Sequence, residues 1–259
     1  SLLTRTVNHY YATFCRGRVA FNFGANVGKI QRFSRRTAGA RRLEDAPYRS
    51  RSLDQGPFPG TPGGLGARWS GWRVERISTL PKEGERPGSN LRAAVESTAA
   101  DFDDLWRRAR AAYRLLVERD HQYLAWRYSA PDVAYHLWAV YRRNRMVGWS
   151  VFRHELRDAA GQDDPRLVWG DALFDPDEPA APAFLLSRVT SAPEHRGARR
   201  VVGWLSDRPA WWGRTVEALG FRRQPEPEDL GFVYVPFEVD PGPAFARDLY
   251  YTQGDTDLF

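Results

Sequence analysis

The chain has 259 residues, of which 42% are hydrophobic, 14% aromatic and 27% charged. That composition excludes a disordered chain, and its strand-sized apolar runs fall short of the about 20 residues a membrane-spanning helix needs. The single cysteine, Cys15, excludes an internal disulfide framework and any multi-cysteine zinc site, and no basic-then-apolar leader opens the sequence, so a reducing cytoplasm is the expected compartment. Of the 38 basic residues only Lys29 and Lys82 are lysine, which points to genome composition rather than a surface selected for charge. Residues 1–90 carry 16 basic against 6 acidic side chains, whereas residues 91–259 carry 22 against 26. The later, larger part is mildly acidic and a poor nucleic-acid surface.

Taken in chain order, "QGPFPGTPGGLG" from Gln55 to Gly66 and "PKEGERPGSN" from Pro81 to Asn90 read as linkers, with one or two strands over residues 68–80 between them. "LRAAVES" reads as a short strand. Asp101 is placed to cap a helix in which Phe102, Leu105, Trp106, Ala109, Tyr113 and Leu116 recur at helical spacing. "RDHQYLAWRY" is a second short helix, stopped by Pro131. Strands are expected over 135–142, 146–154 and 166–174, the first two joined by a tight hairpin at "RNR". A helix from about Pro179, a strand "RRVVGWLS", a helix "PAWWGRTVEALG" and two closing strands ending in "LYYTQGDTDLF" complete the order. Hairpin strands followed by alternating strands and helices describe an α+β fold with helices packed on a mixed sheet.

Residues 19–42 align without gaps to residues 200–223. Phe21 and Phe23 fall on Val202 and Trp204, Gly39 on Gly220, and Arg41–Arg42 on Arg222–Arg223. We read this as an internal repeat. The expected organisation is the C-terminal part of a first copy over 1–54, a linker with accessory strands over 55–88, and a complete second copy over 89–259. The strand at 19–24 should then pair within a sheet and bury Phe21 and Phe23. A start at Ser1 fits a trimmed first copy.

The element order, with "EALGFRR" closing the penultimate helix and Gly220 ending it, resembles the GNAT (Gcn5-related N-acetyltransferase) superfamily, and in particular bacterial tandem-repeat members. "RDHQYLAWRYSAPDVAYHL", "VGWSVFR" and "YYTQGDTDLF" carry the likeness, which covers 89–259 well and 1–52 in part. The resemblance implies a centrally split sheet that takes acetyl-CoA or another acyl-CoA as co-substrate, and acyl transfer to a small-molecule or peptide amine. It implies that the pantetheine arm lies along Ala172, Leu173 and Phe174, and that the pyrophosphate sits at the helix start near Ala180 and Ala181. The superfamily's glycine-rich phosphate loop is absent there; Asp175, Asp177 and Glu178 stand in its place and are expected to repel a pyrophosphate. Val216 occupies the position of a tyrosine often used as acid.

Under that resemblance Asp171, mid-strand, is the candidate base and Tyr234 a candidate proton donor. Asp255 and Asp257 would share one face of a docked terminal strand, held by Tyr250, Tyr251, Leu258 and Phe259, and face the acceptor together with Arg127 and Tyr135. The five histidines show no metal-ligand spacing, so no metal is expected; "GANVGKI" lacks the length and hydroxyl of a phosphate loop. Two other readings stand beside acyl transfer from CoA: a binding or regulatory module on the same fold that has lost catalysis, and a transferase using an aminoacyl-tRNA donor. No oligomeric state follows from the sequence.

Overall fold

The computed structural model describes residues 2–60, 71–77, 89–130, 133–157, 161–227 and 229–255. Seven strands form a mixed sheet in the order β4 (Trp72–Arg76), β5 (His136–Arg142), β6 (Arg145–Arg157), β7 (Asp163–Phe174), β8 (Arg200–Trp204), β3 (Tyr48–Ser52) and β9 (Arg222–Arg223). A smaller sheet has the order β1 (Phe21–Val27), β10 (Leu230–Pro236), β2 (Arg41–Asp45). Seven described helices accompany them: α1 (Leu2–Tyr10), α2 (Gly28–Ala38), α3 (Ser89–Ser97), α4 (Ala99–Ala109), α5 (His121–Arg127), α6 (Ala181–Thr190) and α7 (Ala210–Ala218). The α+β class expected from the sequence is what the chain adopts.

Local chemistry accounts for most of the boundaries. The hairpin between β5 and β6 turns on Arg143 and Asn144, both with φ near 50–65° (49° and 65°), the paired left-handed residues of a two-residue turn. Asp120 caps α5 by accepting from the Tyr123 amide at 2.8 Å; α5 ends at Arg127, and Pro131 lies outside the described residues. α4 begins after Thr98, so Asp101 sits in its first turn rather than at its cap, and Phe102, Leu105, Trp106 and Ala109 form its buried face. Tyr113 and Leu116 follow a single 3₁₀ turn beyond the helix. The segment expected as the strand "LRAAVES" is instead α3. Leu91 and Val95, one helical turn apart, are both buried, and Arg92 pairs with Glu96 at 3.1 Å across the same spacing on the exposed side.

The sheet splits where expected. β7 and β8 run parallel and pair only from Arg166–Val168 to Arg200–Val202, while β7 continues to Phe174. Gly203 closes the last point of approach: a Cβ there would lie 2.7 Å from the Trp169 carbonyl oxygen.

The two aligned segments, 19–42 and 200–223, fold as the same series of strand, helix, left-handed glycine and strand, with Gly39 at φ 67° and Gly220 at φ 89°. Phe21 and Phe23 are half-buried, packed on Phe245 with ring centroids 5.1 and 6.0 Å away. The strand that follows each segment joins the other one. β3 lies antiparallel between β8 and β9, and β10 lies antiparallel between β1 and β2. With β4 pairing to β5 at the other edge, the seven-stranded sheet draws strands from both sides of the boundary read at residue 89.

At the end of β5 and β6 remote from their shared turn, His136, His154 and His195 gather beside Glu194 and Arg76. Burial lowers the His136 imidazole to about 3, with His195, Arg76 and His154 adding to the effect. Burial lowers His195 to about 4; Glu194 opposes the fall, and His154 and Arg76 deepen it. Both folded values lie below the ordinary imidazole value of 6.5, so the unfolded chain binds more protons throughout the interval between them. Stability is therefore expected to rise with pH from roughly 4 to roughly 6.5 and to be lost as pH falls through that window. Urea midpoints of chelator-treated protein at pH 5 and pH 7 check this, and a His136→Gln/His195→Gln variant should flatten the difference.

Candidate functional site

The split beyond Val168 is filled from inside the chain. Trp212 of α7 is fully buried there, its ring 5.6 Å from Trp169, 5.7 Å from Phe174 and 5.9 Å from Tyr250. The C-terminal segment enters beside it in extended form. Leu249 bridges to Leu115 and Thr252 to Leu205, while the Ser206 amide donates to the Tyr251 carbonyl at 2.9 Å. The free edge of β7 is capped by hydroxyl groups, Tyr250 donating to the Ala172 carbonyl at 2.8 Å and Tyr113 to the Phe174 carbonyl at 3.2 Å. Ala172, Leu173 and Phe174 are buried.

Below this edge Arg119, Asp171 and Asp255 form a buried ionic cluster. Arg119, which precedes the α5 cap, donates from Nε to Asp171 Oδ1 at 3.0 Å and from Nη2 to Asp255 Oδ2 at 2.6 Å. It also donates from Nη2 to Thr252 Oγ1 at 3.2 Å and from Nη1 to the Val117 carbonyl at 3.0 Å, and its guanidinium lies 5.1 Å from the Tyr250 ring centroid. Asp171 accepts from five donors: Arg119 and Thr252 Oγ1 (2.8 Å) and its neighbour's amide Ala172 N (2.8 Å) on Oδ1, and Tyr128 (2.6 Å) and Tyr123 (3.2 Å) on Oδ2. With both oxygens saturated and no exposed surface, the carboxylate has no lone pair to offer a substrate. Gly254 permits this closeness, since a Cβ there would lie 2.3 Å from Tyr128 Oη and 2.8 Å from the Asp171 carboxylate.

Two carboxylates share one guanidinium. Burial pushes the Asp255 carboxyl above the usual carboxylate range; Arg119 opposes that and Asp171 reinforces it. Burial pulls Arg119 down, yet the two carboxylates more than offset it and hold the guanidinium well above its ordinary value. Burial likewise lifts the Tyr123 and Tyr128 phenols far up. Asp255 Oδ1 is buried with no hydrogen-bond partner among the described residues.

A separate cavity of about 580 Å³ opens between α6 and α7, lined by Pro179, Ala180, Ala183, Trp211, Arg214 and Thr215 among others. The acids at its rim are largely neutralised, contrary to the repulsion expected from the sequence. Asp175 is ion-paired with Arg108 and Glu178 with Arg142, leaving Asp177 as the exposed one. The α6 start itself offers few amide donors, because Pro182 has none and Ala181 N donates to the Glu178 carbonyl at 2.9 Å. Among the described residues Arg214, exposed on α7, is the cation in the cavity lining.

The structure thus brings together Asp171, Asp255 and Arg127, whose Nε donates to the Gly254 carbonyl at 2.8 Å. Tyr135 packs against Tyr128 at 5.1 Å, behind the cluster. Ala180 lines the cavity and Ala181 is buried next to it. Tyr234 belongs elsewhere: it is on β10 in the smaller sheet, donating to Asp240 at 3.1 Å and accepting from Arg41 at 3.4 Å. The terminal segment is docked, but through a 3₁₀ turn at Gln253–Asp255 instead of a continuous strand, so the same-face geometry read for its aspartates does not hold. Asp257, Leu258 and Phe259 lie outside the described residues. Sequence reasoning passed over Arg119, Tyr128 and Thr252. The available signal was Asp171 itself, since a carboxylate inside an apolar strand requires a cation from elsewhere in the chain.

No family model matches the sequence, and no curated protein matches it. Solved structures do. A GCN5-related N-acetyltransferase from Anabaena variabilis ATCC 29413 superposes with a TM-score of 0.51 at 10% identity, over 90% of this chain and 49% of that one. A GCN5-related N-acetyltransferase from Kribbella flavida superposes with a TM-score of 0.51 at 15% identity, over 92% of this chain and 47% of that one. The chain spans about half the length of these structures. Among the described residues no helix is long and apolar enough to cross a membrane. With its split mixed sheet, the helix pair flanking the split and these superpositions, the chain has the fold of the GCN5-related N-acetyltransferases.

Proposed function

We propose that the protein binds a CoA thioester in the cavity between α6 and α7 and transfers its acyl group to a small-molecule or peptide amine. The observation that carries this reading is the position of the cavity: it flanks the start of the helix that follows β7, beside the split, with Arg214 as the cation for a phosphate and Trp211 as an apolar wall. Pairing of Asp175 and Glu178 with arginines removes most of the charge that would oppose an anion there. Because Asp171 is saturated, it acts in this reading as a support for the C-terminal segment, and the attacking amine would have to lose its proton to solvent or to a group of the acceptor.

A second reading, a binding module without catalysis, is favoured by one observation: Tyr250 and Tyr113 already take the β7 carbonyls that an extended pantetheine arm would use. Calorimetry with acetyl-CoA, followed by a thiol-release assay across a panel of amines, separates the two. Saturable binding with amine-dependent thiol release supports acyl transfer, and binding without release supports the module. Absence of binding overturns both. Arg214→Ala is expected to weaken binding roughly tenfold, the size of one charge-assisted contact to phosphate.

A further inference from the structure

The three histidines at the far end of the sheet were unremarkable in the sequence, and nothing in acyl transfer uses them. They come from separate elements: His136 opens β5, His154 lies on β6, and His195 follows Glu194 in the 3₁₀ turn Pro193–His195 after α6. The ligand atoms of His136, Glu194 and His195 lie within 4.8 Å of one another. The His136 and His195 rings are 4.7 Å apart by centroid, and His154 and His195 are 6.2 Å apart.

Four ring nitrogens in this cluster, His136 Nδ1, His154 Nε2 and both nitrogens of His195, are buried with no hydrogen-bond partner among the described residues. His136 and His195 are only 7% and 2% exposed. Buried polar atoms are almost always satisfied, so four orphaned nitrogens in one place call for a bonding partner. Histidine packing alone gives them none. A hydrogen-bonded water could serve one or two of them, whereas a cation accepts several lone pairs at once.

We propose that His136, His154, His195 and Glu194 bind one divalent transition-metal ion of the zinc class. Three imidazole nitrogens and one carboxylate oxygen form a ligand set that zinc takes in tetrahedral geometry, at roughly 2.0–2.2 Å per ligand. Ligands on such a tetrahedron stand roughly 3.3 Å apart, so His136, Glu194 and His195 need close by no more than about 1.5 Å, and His154, whose ring is 6.2 Å from His195, completes the set by a larger side-chain shift. Glu194 is already oriented, since Arg76 Nη1 donates to its Oε1 at 2.9 Å. Four protein ligands leave no open position for water, which makes this a structural ion. It fastens the turn after α6 to β5 and β6, at the end of the sheet away from the split.

The test uses the full, tag-free chain, stripped by chelator and then titrated with zinc by calorimetry and with cobalt by visible absorption. The expected result is one ion per chain with the intense visible bands of tetrahedral cobalt, and a melting temperature raised by zinc and lowered again by chelator. His136→Ala/His195→Ala should lose binding by about a hundredfold or more, and His9→Ala, on an exposed position of α1, should bind as the parent does. Should the double variant fail to fold, His154→Gln and Glu194→Gln are read instead, each expected to weaken binding about tenfold or more and to alter the cobalt spectrum. Absence of tetrahedral cobalt in the parent protein, or undiminished affinity in folded variants, overturns the proposal.

Discussion

Asp171→Asn is expected to destabilise the fold by about 3–5 kcal/mol, seen as a lower urea midpoint with an unchanged slope and a melting temperature reduced by roughly 10 °C. The substitution leaves Arg119, fully buried, facing a neutral amide, and it forces two of the five donors now aimed at the carboxylate to meet an NH₂ group. Asp255 offsets part of the lost charge, which keeps the effect short of complete unfolding. A solvent-reachable base would behave oppositely, losing activity at an almost unchanged melting temperature. An Asp171→Asn protein as stable as the parent would falsify the account of this cluster as a buried ionic lock.

Trp212→Ala should cost about 3–5 kcal/mol by a different route, the emptying of a packed volume. The indole is buried among Trp169, Phe174 and Tyr250, and the backbone beneath it cannot follow the missing ring. Gly213, the next residue, already sits so close to Asp207 that a Cβ would lie 2.5 Å from its carbonyl oxygen. Trp211→Ala removes an equally large side chain that is half exposed at the cavity wall, so its cost should be clearly smaller. Thermal denaturation of the pair measures the difference, and equal losses would mean that the split is not packed as described.

Much of the architecture was legible because it is written in local chemistry. The β5–β6 hairpin, the Asp120-capped helix, and the alternation of β7, α6, β8 and α7 each follow from spacing, capping and turn residues within a dozen positions. α3 was misread because a seven-residue window with two apolar positions fits either period; what decides it is that Leu91 and Val95 bury on one face. The candidate site was legible only in its components. Asp171, Arg127 and Asp255 were identified, but what each does depends on Arg119 and Tyr128 at the two ends of α5 and on Thr252 of the C-terminal segment, which all reach Asp171 from far along the chain. The histidine cluster was invisible for the same reason, since its ligands carry no common spacing.

The crossing of β3 and β10 bears on how the chain can be made. Tyr48–Ser52 leave the ribosome about 150 residues before their partners on both sides, Arg200–Trp204 and Arg222–Arg223. β1 and β2 must wait equally long for β10 to separate and join them. Throughout that interval three strands, β1, β2 and β3, carry unsatisfied backbone groups, the condition that invites wrong pairing. Neither segment can be completed first, so the last step of folding is a mutual one with high contact order. Backbone pairings of this kind can also form between two chains, so unfinished copies at high concentration are exposed to strand exchange, with chaperone capture as the competing fate.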